Sequence, residues 1–155
     1  MILAIDPSLT ATGYALFAED RSLIEAGRIK APVQVKGKKL PAAKRADIIV
    51  SDICVLASGQ PVVPHSVIEI PSAHVNKRRH GGGGAGLARY GYLTGRVVQA
   101  IVELGGMVEQ VEPEQWIGKA HGVPRSKADR MALAARAWPR YDPCLLYTSP
   151  SPRDS

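Results

Sequence analysis

Cysteine is scarce in this chain: Cys54 and Cys144 are the only two in 155 residues, and they show no framework spacing. Nor is there a cysteine and histidine cluster with the spacing of a zinc site. Cys54 falls in an apolar helical pattern and reads as a small core residue. No apolar run is long enough to cross a membrane. The N-terminus lacks the basic segment, apolar stretch and cleavage site of a signal peptide, so a cytoplasmic protein is the expectation. No internal repeat is present. The glycine run from Gly81 to Gly84 is not followed by Gly-Lys-Ser/Thr, which excludes a Walker phosphate loop.

What is there suffices for one domain with a real core. The net charge of +6 favours an anionic partner and says nothing about fold. The final stretch, Cys144 to Ser155, resembles the translation of a sequencing-library adapter. On that resemblance the natural sequence ends near Pro143, and residues 144–155 are expected to be non-native or disordered. Arg153 and Asp154 cancel, so the positive charge belongs to residues 1–143.

The stretch from Ile2 to Gly13 organises the rest. A short apolar run suits a strand buried on both faces, and it ends at Asp6, where Pro7 and Ser8 turn the chain. Open α/β sheets place ligands at the carboxyl ends of their strands, where Asp6 falls. Ser8, Thr10, Thr12 and Gly13 leave room for a metal ion or a phosphate, although a plain turn accounts for Asp-Pro-Ser equally well.

Further strands are predicted over Thr12–Phe17 and Leu23–Ile29, giving an antiparallel meander. A polar loop, Lys36-Gly37-Lys38-Lys39, precedes a helix from Pro41 to about Ala57 with Ile48, Ile49, Ile53, Val55 and Leu56 on its apolar face. Val67–Ile70 is a short strand carrying Glu69. A basic, glycine-rich loop from Pro71 to Gly86 follows it. The next helix spans Leu87–Leu104, with Leu87, Tyr90, Leu93, Val97, Ile101 and Leu104 at helical spacing and Gly105-Gly106 as its cap. Met107–Val111 is a fifth strand, Pro113–Ile117 a turn of helix, and Ser126 caps a last helix to Trp138. The order predicts a mixed five-stranded α/β sheet flanked by helices.

Asp6 and Glu69 carry the candidate chemistry. Carboxylates on two apolar strands are costly unless paired, hydrogen-bonded or bound to metal. If the strands are neighbours, the like charges favour a divalent cation between them, and hard oxygen donors select Mg²⁺ or Mn²⁺. Two such ions about 3.5–4 Å apart can activate water and stabilise the leaving oxygen of a phosphodiester. A salt bridge from Glu69 to an arginine explains that residue equally well. The basic residues form three groups: Lys36, Lys38, Lys39, Lys44 and Arg45; Lys77, Arg78, Arg79 and His80; and Lys119, His121, Arg125, Lys127 and Arg130. Each suits an ordinary solvated face. The second, a few residues after Glu69, also suits a grip on a phosphate backbone.

Together these motifs resemble a known family. Ile-Asp-Pro-Ser followed by Thr-Gly-Tyr-Ala is similar to the first strand of RuvC-type Holliday-junction resolvases, especially their phage-like relatives. Val-Ile-Glu-Ile-Pro resembles the family's second acidic strand. Tyr90-Gly-Tyr-Leu-Thr-Gly, the strand Val108–Val111 and the lysine helix after it fall in family order, so the resemblance covers nearly all of Met1 to Trp138. It implies a ribonuclease H-like fold over residues 1–143, a homodimer and no membrane. It implies Mg²⁺-dependent (or Mn²⁺-dependent) endonuclease activity on branched DNA, the four-way junction above all, by phosphodiester hydrolysis. By match, Asp6 and Glu69 are catalytic metal ligands. Lys127 resembles the family's catalytic lysine near the scissile phosphate, and on their own basic character Lys77, Arg78, Arg79, Lys119 and Arg125 are expected to face the DNA. The helix Leu87–Leu104 is the implied dimer contact, though its stripe equally suits core packing. The family carries further acidic residues on a helix beyond the lysine. Here Asp129 comes too early and Asp142 lies just before the adapter-like tail, so that last acidic helix is missing and the chain itself is expected to be impaired in catalysis.

Three rival readings remain. The sugar-kinase, actin and heat-shock chaperone group also opens on an aspartate strand, but needs two such domains and a second acidic phosphate loop. The others are a non-catalytic module for branched nucleic acid and a ribonuclease H-like nuclease acting on RNA.

Overall fold

The computed structural model describes residues 1–70, 85–118 and 122–139. The chain divides into two compact units after Pro113. The first unit is built on a five-stranded sheet. Its strands are β1 (Ile2–Asp6), β2 (Ala11–Phe17), β3 (Leu23–Lys30), β6 (His65–Glu69) and β7 (Val108–Val111). They lie in the order β3-β2-β1-β6-β7. β1, β2 and β3 form the antiparallel meander, whereas β1–β6 and β6–β7 are parallel. Mixed pairing follows from the connections: short turns join the meander, and helices carry the chain back for the parallel strands.

Those helices are α1 (Ala42–Ser58) and α2 (Ala85–Glu103), which pack on each other. One face of the sheet supplies Leu3, Ile5, Leu16, Ile29 and Ile68 to the core. α1 answers with Ala46, Ile49, Val50, Ile53 and Ala57, and α2 with Leu93, Val97 and Ile101. These helical positions recur three and four residues apart, as a core-facing stripe requires. The stripe of α1 differs from the expected one, since Val55 is 69% exposed. Ala46 and Ala57 take the inner positions instead. Small residues there suit a helix packed closely between neighbours. Leu87 likewise lies outside the core, being 57% exposed.

Gly105 ends α2 with φ 81, and the N–H groups of Gly105 and Gly106 donate to the carbonyls of Val102 and Ile101. This satisfies the last carbonyls of the helix in a left-handed cap. The polar loop at 36–39 is in fact part of a small hairpin, β4 (Gln34–Val35) with β5 (Lys38–Lys39). Lys36 and Gly37, at φ 49 and 76, form its two-residue turn, where both central residues need positive φ.

The second unit begins at Glu114 and includes α4 (Lys127–Ala137), following the short α3 (Pro113–Trp116). The Ser126 hydroxyl caps α4 by accepting from the Asp129 N–H at 3.1 Å and donating to the Asp129 carboxylate at 2.6 Å. Asp129 is thus engaged at the start of its helix. Among the described residues no helix is long and apolar enough to cross a membrane.

Candidate active site

Asp6 is the last residue of β1, and Glu69 the last of β6. The strands run parallel with Ile5 opposite Ile68, so the next residues on each continue the same register. Ile5 and Ile68 point into the core. Side chains alternate along a strand, so Asp6 and Glu69 leave the sheet together on the other face, one strand spacing of about 4.8 Å apart. Asp6 is exposed and Glu69 half-buried. The carboxylates therefore stand at the rim of the sheet, where water and a hydrated ion reach them, and not deep among aliphatics as the apolar flanks suggest.

Tyr90 ties this rim to α2. Its hydroxyl donates to the backbone carbonyl of Glu69 at 2.8 Å. Burial first, then the charges of Asp6 and Glu69, holds its phenol well above the ordinary tyrosine range. One hydroxyl that senses both carboxylates is a second sign that they share one locality, and it remains a hydrogen-bond donor there. Tyr90→Phe leaves that carbonyl short of its donor and is expected to cost about 1 kcal/mol, read as a lower denaturant midpoint. An unchanged midpoint would mean that the bond does not hold the end of β6.

The turn after Asp6 is also fixed. The Thr12 hydroxyl donates to the Ser8 carbonyl at 2.9 Å and accepts from its N–H at 3.1 Å. Arg45, from α1, donates to the Leu9 carbonyl and to the Thr10 hydroxyl. Arg45 thus braces the turn from within and does not belong to a solvated basic face. The other members of its group, Lys36, Lys38, Lys39 and Lys44, are exposed.

The register extends the row beyond the carboxylates. Asp6 lies opposite Gly13 and Gly13 opposite Arg28, while Glu69 lies opposite Val111. Directly opposed residues share a face, so Arg28, Gly13, Asp6, Glu69 and Val111 cross the sheet in one line. Arg28 has no standing in a linear reading of the sequence. Only the register of two strand pairs brings it into line with Asp6.

No protein-family model and no curated protein matches this sequence. Solved structures do. A T. thermophilus RuvC in complex with a Holliday junction substrate matches with TM-score 0.67 at 16% identity, over 97% of this chain and 84% of that one. A second Thermus thermophilus RuvC structure matches with TM-score 0.59 at 20% identity, over the same shares. The chain has a RuvC-like fold. The mixed five-stranded sheet is the ribonuclease H-like arrangement expected from the order of elements.

In that RuvC-like frame the strands that end in Asp6 and Glu69 are neighbours. Among the described residues, no three histidine, cysteine, aspartate or glutamate side chains gather into a ligand set. Arg125 and Lys127 are exposed in the second unit, Lys127 as the first residue of α4. Arg130, in the same unit, donates to the carbonyls of Pro124 and Arg125 and lies over the Trp116 ring, 6.0 Å from its centroid. Lys77, Arg78, Arg79 and Lys119 lie outside the described residues, as do His80, His121, Asp142 and the adapter-like tail.

Proposed function

We propose that this chain is a divalent-metal-dependent endonuclease of the Holliday-junction resolvase kind, hydrolysing phosphodiesters in branched DNA. The observation that carries the reading is the pairing of Asp6 with Glu69 at the carboxyl ends of adjacent parallel strands in a RuvC-like fold. The RuvC neighbour is described in complex with a Holliday junction substrate, and a junction is the substrate assigned to this chain. The donor set fits Mg²⁺ or Mn²⁺: two hard carboxylates, open to solvent on one face, beside a glycine. When bound, such an ion supplies an activated water and stabilisation of the leaving oxygen.

The chain's own residues divide the remaining work. Asp6 and Glu69 hold the ion, and Tyr90 steadies the strand end that presents Glu69. Lys127 is assigned to the scissile phosphate from its place in the order of motifs alone. Lys77, Arg78, Arg79, Lys119 and Arg125 contact phosphates along the DNA, which fixes register without reading sequence. A homodimer through α2 places two such sites on one junction for paired incisions. Leu87 and Val102, 57% and 55% exposed on α2, are available to that contact.

A second reading, a binding module without catalysis, draws support from the absence of a third ligating side chain among the described residues. Incubation with four-way, three-way and linear DNA in Mg²⁺ or Mn²⁺ separates the two. Cleavage confined to branched substrates supports the nuclease. Tight junction binding without cleavage supports the module, and equal binding of linear duplex contradicts both.

A further inference from the structure

Three described side chains hold a buried polar atom that makes no hydrogen bond: Arg28 through Nη1, Arg45 through Nε and Thr94 through Oγ1. Two have an evident structural setting. Arg45 spends Nη2 on the Leu9 carbonyl and Thr10 hydroxyl, and Thr94 sits inside α2 beside the core residue Leu93. Arg28 is different. It lies on β3, the edge strand of the sheet, where a long side chain has easy access to water. Yet one of its guanidinium nitrogens is buried without a partner.

We propose that Arg28 is a phosphate-binding residue of the Asp6–Glu69 site, reaching along the row over Gly13 to hold a non-bridging oxygen of the bound DNA strand. The proposal rests on the nuclease reading above. An unmade hydrogen bond at a buried guanidinium is costly, and a ligand oxygen that completes it recovers that cost. Arginine suits the task, since its planar fork matches two oxygens of one phosphate.

Gly13 supplies an independent observation. It stands between Asp6 and Arg28, within a strand, where glycine is unfavourable and often marks the close approach of a ligand. Its backbone does not demand glycine, because its φ is not positive. Among the described residues a Cβ there would meet nothing closer than the Asp6 Cβ at 3.7 Å, an ordinary contact. Neither strain nor crowding by those residues explains the missing side chain. With no side chain at Gly13, that residue leaves a lane along the row between the carboxylate pair and Arg28. A phosphodiester strand lying in that lane would meet the metal-binding carboxylates on one side and Arg28 on the other.

The test is binding of the whole chain to a four-way junction without metal, so that no cleavage occurs, across a series of salt concentrations. Arg28→Met is expected to weaken binding about tenfold and to flatten the slope of log affinity against log salt by about one unit. Arg28→Lys restores the slope, because the charge returns, but recovers only part of the affinity, because the fork does not. That split is not produced by a merely structural arginine. If Arg28→Met proves unfolded by its melting curve, Arg28→Lys decides alone: parental affinity in that variant overturns the proposal. If Arg28→Met folds and keeps the parental slope, the proposal is likewise overturned while the nuclease reading stands. If the parent itself binds four-way and linear DNA equally, the nuclease reading fails, and the role of Arg28 with it.

Discussion

Asp6→Asn and Glu69→Gln are each expected to reduce junction cleavage by about a thousandfold, while junction binding in the absence of metal stays close to that of the parent. Each substitution removes one negative charge and keeps the shape of the side chain, so packing around β1 and β6 is undisturbed. Both side chains leave the sheet away from the core and are at least partly open to water. Neither is therefore needed for the hydrophobic interior. On the proposed function each variant lacks an anionic ligand for a shared cation, and the expected loss falls on the chemical step. Binding is carried by cationic side chains and phosphates, and removing a carboxylate from the site relieves repulsion of DNA. The measurement pairs single-turnover cleavage with metal-free binding for parent and variants. A variant that cuts at the parental rate would remove its carboxylate from the site.

Ile68→Ala is expected to cost about 2–5 kcal/mol of folding stability. Ile68 is fully buried on β6, opposite Ile5 on β1, and joins a core with residues from both α1 and α2. Truncation loses transfer free energy and leaves a cavity that close-packed neighbours fill only in part. The residue adjoins Glu69, so the damage also reaches the site: the strand end that presents the carboxylate loses its anchor in the core. Val55→Ala is the control. Val55 is exposed on the outer side of α1, and its loss is expected to stay within about 0.5 kcal/mol. Denaturant unfolding of the two variants checks the contrast. Equal midpoints would contradict the described core.

The order of strands and helices was legible because each element carries a simple local pattern. The apolar run before Asp6, the stripe Leu93, Val97 and Ile101, and the paired glycines after α2 each follow from side-chain period or backbone sterics. The Asp6–Glu69 pairing was legible only as a condition, since no local pattern says which strands are neighbours. Other features were hidden for physical reasons. The β4–β5 hairpin has polar flanks and short strands, so its Lys36-Gly37 turn carries the only signal, in a segment that reads as loop. The inner face of α1 uses Ala46 and Ala57, and alanine gives a weak apolar signal beside the larger Val55 that points outward. Arg45 looked like one more surface cation until the structure placed it under the β1–β2 turn. Arg28 lies twenty-two residues from Asp6 in the chain, and only β-sheet register brings the two into one row.

The most direct test of the central claim is a crystal structure with Mn²⁺ soaked in, read by the anomalous scattering of manganese. The account predicts a peak on the open face of the sheet, within coordinating distance of carboxylate oxygens from both Asp6 and Glu69, and lost in Glu69→Gln. Manganese bound elsewhere, with those two carboxylates turned apart, would contradict it.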